Sequence, residues 1–173
     1  MKITFSVDRK LTKKDLDESS QLAETFFHMQ EKPDEIPATK ENKEFILNKI
    51  PECSNVIYAD KKTIGFTFII PCNKDIMKRF LAKNITENEL FEEVKNKINY
   101  SNFTAIYLCS SFIKKEFRGR GLAIQGRMKS IKKICEGRKI KPILFAWAQT
   151  KEGEKSVKRT AAQIGCKLKL LKQ

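Results

Sequence analysis

Residues 113–137, IKKEFRGRGLAIQGRMKSIKKICEG, constrain this chain more than any other stretch. They begin at the end of an apolar run, turn through Arg118-Gly119-Arg120-Gly121, and continue as an amphipathic segment. Ile124, Met128, Ile131 and Cys135 recur at helical spacing, while Arg127, Lys129, Lys132 and Lys133 lie mostly off that stripe. Gly137 stands where a left-handed C-terminal residue is expected. The preceding residues 104–113, TAIYLCSSFI, are β-branched and aromatic, which predicts a strand. A strand, a glycine turn and a helix start in that order make an anion site. Glycines let the backbone approach closely, and first-turn N–H groups have no intrahelical partner.

With 173 residues, 40% of them apolar, and only 7 Gly and 5 Pro, the chain suits a single domain, 1–173, with a real core. No apolar run approaches the ~20 residues of a membrane helix, and MKITFSVDRK has too short an apolar run for a signal peptide. Five cysteines (53, 72, 109, 135 and 166) without a CxxC pair read as reduced core thiols of a cytoplasmic protein, with neither disulfide nor metal framework. On that reading the triplets at Asn84, Asn99 and Asn102 carry no glycosylation meaning. The net charge of +14 attracts phosphate-bearing ligands, nucleic acid among them. The lysines are dispersed, which favours a solvated basic surface over a nucleic-acid interface. Their densest cluster surrounds the glycine turn and the helix after it.

The pattern around that turn alternates strands and helices. Residues 3–7 read as a strand, and Thr12 with Asp15 opens a helix carrying Leu16, Ala23, Phe26 and Phe27 inward. Thr39 caps a short helix over 40–49 that stops before Pro51. The EKPDEIP loop ahead of it is either a connector or a substrate contact. Residues 56–59 and 63–70 form a hairpin about Asp60-Lys61-Lys62. Residues 73–83 look helical, and Thr86-Glu87-Asn88-Glu89 is a capping box opening a helix with Leu90, Phe91, Val94 and Ile98 inward. The apolar run 141–148, KPILFAWA, suits a strand buried on both faces. A helix over 152–164 ends at Gly165, and 166–171 is the last strand.

The run Phe117-Arg118-Gly119-Arg120-Gly121-Leu122-Ala123 resembles the acetyl-CoA-binding signature of the GNAT N-acetyltransferases, (Arg/Gln)-x-x-Gly-x-(Gly/Ala). Arg118, Gly121 and Ala123 fill its defined places, and the order β-α-α-β-β followed by strand-turn-helix-strand is similar to that family's. The resemblance implies an α/β chain with a mixed (α+β) sheet in a GNAT-like acyl-CoA N-acyltransferase fold. The sheet would be splayed between 104–113 and 141–148, with helices on both faces. Residues 72–102 depart from the family as a helical insertion between the third and fourth strands. They form an acceptor wall, a homodimer contact or plain decoration.

The activity implied is transfer of an acetyl group from acetyl-CoA to an amine acceptor, with no metal. The resemblance places the pyrophosphate on the backbone of Arg118, Gly119, Arg120, Gly121, Leu122 and Ala123, and the pantetheine arm along Ser111, Phe112 and Ile113. An oxyanion donor comes from the backbone of 110–113. The family often carries Tyr and Asn in the last helix; here those places hold Ala161 and Glu154. Ser156 is a polar substitute by proximity, and Tyr107 is a proton relay, a pocket residue or a core aromatic. Strict alternation puts Tyr107, Cys109 and Ser111 on one strand face and Ser110 and Phe112 on the other. His28 reads as structural or exposed, and Trp147 as core or as a flank of the thioester. Two other readings stand beside the transferase: a CoA-binding sensor without catalysis, and a basic nucleic-acid-binding module using the Arg-Gly turn.

Overall fold

The structure, a computed structural model, describes residues 1–27, 32–97, 102–139 and 141–171. Six strands lie side by side in chain order: β1 (Ile3–Phe5), β2 (Ser54–Ala59), β3 (Lys62–Cys72), β4 (Ala105–Ile113), β5 (Ile143–Ala146) and β6 (Leu168–Leu170). The pairs from β1 to β4 are antiparallel, and β4, β5 and β6 run parallel. Hairpin turns suffice for the first kind of pair. The second needs crossover helices, and the long amphipathic segments of the chain supply them.

Each helix begins where a short polar side chain or a glycine stands. Thr12 and Asp15 cap each other reciprocally before α1 (Lys13–Phe27), with the Thr12 N–H 2.7 Å from Asp15 Oδ2. Thr39 caps α2 (Lys40–Lys49), Asn73 caps α3 (Lys74–Leu81), and Thr86 pairs with Glu89 as α4 (Glu87–Lys97) begins. Gly121, in the left-handed region, starts α5 (Leu122–Ile134), and Thr150 caps α6 (Lys151–Ile164).

Side-chain contacts sort the helices by face. Tyr58 donates to Asp15 of α1, Phe68 meets Phe91 of α4 edge-on at 6.1 Å, and Tyr107 packs against Phe80 of α3 at 4.8 Å. Phe91 in turn meets Phe45 of α2. The first four helices therefore cover one face. On the other, α5 presses Gly126 onto Ile57 and Thr67, and the Asn55 amide donates to the Gly126 carbonyl at 3.0 Å. A Cβ at Gly126 would stand 3.1 Å from Thr67 Oγ1, so the glycine sets how closely the helix approaches the sheet. The α6 helix packs beside α5.

The insertion is packed in rather than appended. Leu90, Phe91 and Val94 are fully buried, each such side chain contributing roughly 1.5–3 kcal/mol. Arg79 of α3 holds Glu93 of α4 through both terminal guanidinium nitrogens, and Lys95 ties α4 to Glu41 and Asn42 of α2. Some expectations change. The first strand stops at Phe5 because Ser6 turns inward to Asn55 and opens a 3-10 turn over Ser6–Asp8. Phe26 is 50% exposed, stacked on Phe112 instead of entering the core. Arg127, expected on the solvated side of its helix, is buried at 3% exposure. Ile98, Asn99 and His28 lie outside the described residues.

Candidate active site

Two irregularities in β4 create the site. Its parallel pairing with β5 runs from Ala105–Ile143 only to Tyr107–Phe145, so Leu108 to Ile113 continue without β5 alongside. The sheet is splayed there, as the resemblance implies. In addition, Phe68 pairs with Ser110 while Ile69 pairs with Leu108, leaving Cys109 as an extra, bulged residue. The bulge overturns the simple alternation. By register Tyr107, Ser110 and Phe112 share the face of Ile70, Phe68 and Phe66, whereas Ser111 pairs with Thr67 on the α5 face.

A cavity of about 380 Å³ occupies the splay. Its wall includes Leu16 and Phe27 of α1, Ile46 of α2 and Glu87 of α4, but also Arg127 of α5 and Val157 of α6. One cavity can touch helices on both faces only by passing through the gap between β4 and β5. Trp147, read from sequence as a residue of a buried strand, lies just past β5 and is 36% exposed at the cavity wall.

On the first face stands Glu87, which by sequence is only a member of a capping box. It is the first residue of α4, and its Oε1 accepts from the Tyr107 hydroxyl at 2.7 Å and the Cys109 thiol at 3.5 Å. Burial raises its pKa. The donors Tyr107, Cys109 and the Ile36 N–H oppose that rise, and the charge of Glu35 adds to it. No cation in the described residues pairs with it at salt-bridge distance, whereas Glu35 is joined to Lys32 at 3.3 Å. Tyr107 packs between Phe80 and Phe145, and burial together with the Glu87 charge keeps its phenol protonated. Burial, with Glu87 nearby, likewise raises the Cys109 thiol.

On the second face, Arg127 donates to Ser111 Oγ at 2.6 Å and to Ser156 Oγ at 2.8 Å. Ser156 and Ser111 thus meet through Arg127, which lies off the apolar stripe of its helix.

At the surface, Gly119 and Gly121 hold φ of +78° and +71°, and no side chain caps α5. A Cβ at Gly119 would meet nothing within 4 Å. Open space, glycine backbone and an uncapped helix start fit a phosphate group. The Arg118 Nε donates to the Ile113 carbonyl at 2.8 Å, and Arg120 lies over the Phe117 ring. The Arg118–Ala123 loop and the Ser111–Ile113 strand segment flank the splay, whereas Tyr107 and Ser156 lie on opposite faces of the sheet.

No protein-family model matches the sequence, and no curated protein matches it. By structure the chain is similar to the insect protein described as arylalkylamine N-acetyltransferase 7 of the yellow fever mosquito, with a TM-score of 0.52 at 10% identity over 91% of this chain and 72% of that one. The fold is a GNAT-like acyl-CoA N-acyltransferase fold. Within it α5 follows the central strand and α3 and α4 form the helical insertion. Among the described residues no cluster of His, Cys, Asp or Glu could hold a metal ion, no helix is long and apolar enough to cross a membrane, and the five cysteines are unpaired. A signal for Glu87 existed in the sequence, an acid at the start of a capped helix. Nothing local revealed that the helix would bring it onto the central strand.

Proposed function

We propose that the protein is an N-acetyltransferase that moves an acetyl group from acetyl-CoA to an amine acceptor. The observation that carries this reading is the single cavity passing through the β4–β5 gap beside a bulged strand, with an uncapped glycine turn next to it. Acetyl-CoA supplies an activated acetyl thioester. The backbone N–H groups of Gly119, Arg120, Gly121, Leu122 and Ala123 bind its pyrophosphate, aided by the α5 dipole. Ser111, Phe112 and Ile113 lie along its arm as a neighbouring strand would, which the end of β5 pairing leaves room for.

Glu87 acts as the base. An amine attacks only when neutral, and a carboxylate with no cation partner among the described residues, held at the cavity wall by Tyr107 and Cys109, can take its proton. Burial holds the Glu87 pKa above the ordinary carboxylate range, closer to where a base is efficient. Tyr107 orients Glu87 and remains a phenol. The apolar side of the cavity, with Leu16, Phe27, Phe66 and Trp147, accommodates an acceptor with an apolar body next to its amine.

Calorimetric titration with acetyl-CoA and CoA tests the reading, with saturable binding expected. Gly121→Glu should abolish it while circular dichroism still reports a folded chain, because it places bulk and negative charge at the phosphate turn. Absence of binding at millimolar ligand overturns the proposal. Release of CoA thiol against a panel of amines separates a transferase from a protein that only binds the cosubstrate.

A further inference from the structure

Arg127 carries a charge that no acidic side chain among the described residues pairs with. It is 3% exposed and reaches the cavity; among the described residues it hydrogen-bonds only to hydroxyls, and its Nε is buried without a partner there. Burial lowers its pKa to about 10, with no acidic neighbour acting to raise it, so it remains a cation at neutral pH. Uncharged polar residues follow on the same elements: Thr67 opposite Ser111 on β3, Ser130 a turn further along α5, and Thr160 a turn beyond Ser156 on α6. Thr67 Oγ1 and Ser130 Oγ are also buried without partners. A buried cation without a counterion is costly, and such groups concentrate where negative charge has to be received.

The hydroxyl geometry sharpens this. Ser111 and Ser156 each accept a hydrogen bond from Arg127, so their own O–H hydrogens are left to donate elsewhere, polarised by the cation behind them. Ser111 lies two residues past the bulged Cys109, and Ser156 lies on the helix that follows β5. The group Ser111–Arg127–Ser156 therefore bridges the two sides of the splay.

We propose that Arg127, acting through the cavity-lining Ser111 and held from behind by Ser156, is the positioning residue that receives the negative charge of the departing coenzyme A sulfur. The proposal rests on the transferase reading above. In the transfer, the amine nitrogen forms its bond to the thioester carbonyl carbon and the carbon–sulfur bond breaks. The bonding pair leaves on sulfur, and the amine proton goes to Glu87. The thiolate rests against the polarised Ser111 hydroxyl until solvent protonates it. Glu87, Tyr107 and Cys109 face the sulfur from the opposite wall, with Glu24, Glu35, Lys32 and Lys43 also lining the cavity. The Glu87 carboxylate works against thiolate formation, so the arginine side has to dominate.

The test is titration of the thiol of bound CoA, followed by the ultraviolet absorbance of the thiolate. In the wild-type protein the bound thiol should ionise at least about one pH unit below that of free CoA. Arg127→Met should abolish the shift and Arg127→Lys should keep part of it. Ser156→Ala should reduce it, and Glu87→Gln should enlarge it. A desulfo analogue of CoA should bind with an affinity independent of pH over the same range. If the bound thiol of the wild-type protein titrates at or above the free value, the role assigned to Arg127 is overturned, whether or not its variants fold. If neither CoA nor acetyl-CoA binds, the transferase reading falls and this role with it. Binding with an unshifted thiol removes only the latter.

Discussion

Glu87, half-buried, and Arg127, buried, are charges on opposite faces of one strand, and neither has an ionic partner among the described residues. A base must be ionised to act, and burial raises Glu87. The pH profile of kcat should therefore lose activity as pH falls through a value above the usual carboxylate range. Glu87→Gln should lower kcat by about 100-fold or more and erase that acid limb, as steady-state rates across pH would record. A third charged residue, Asp15, has the opposite sign of shift. Burial works to raise it, but the hydrogen bonds from Arg9, Tyr58 and Thr12 prevail and hold it well below the ordinary carboxylate range. Its stabilisation is complete above the unfolded value of about 4 and is lost as pH falls toward the lowered folded value. Asp15→Asn should cost about 2 kcal/mol or more at neutral pH, leaving the Tyr58 hydroxyl and Arg9 poorly served. The difference from wild type should shrink below about pH 4 in urea titrations.

The elements were legible where their signals are local. Thr12, Thr39, Asn73 and Thr86 mark helix starts, Gly165 marks a helix end, and each stands in that role. The bulge was not legible, because alternation in TAIYLCSSFI continues unbroken through Cys109. Only pairing with β3 decides that Cys109 is extra and that Ser111 turns toward α5. The burial of Arg127 was hidden for the same reason: helical spacing names a stripe, but a neighbouring helix widens the covered surface, and α6 covers Arg127. The close contact of α5 with the sheet rests on Gly126. Gly126→Val should lift the helix from Thr67 and Ile57, costing about 1–3 kcal/mol, read as a lower midpoint in thermal unfolding. The same displacement should weaken CoA binding, since Arg127 follows directly in sequence.

Across the whole molecule, the splay turns a sheet into a passage. Strands of unequal length, nine residues in β4 against four in β5, leave a gap that one cavity traverses. A ligand held there touches both helical layers and binds only the folded chain. Acetyl-CoA at 100 times its dissociation constant should therefore stabilise the protein by about 2.7 kcal/mol, measurable as a rise in Tm, and Gly121→Glu should remove that rise. By itself the sequence determined the helix starts, the succession of strands and helices along the chain, and the glycine turn with its open backbone. These follow from spacing, caps and turn residues, which act over a few positions. Only the tertiary structure decided that α4 delivers Glu87 to Tyr107 and Cys109, that the bulge aims Ser111 at Arg127, and that both charges line one cavity. Those contacts join residues 16 to 29 positions apart, where strand register and helix packing rather than local preference set the outcome.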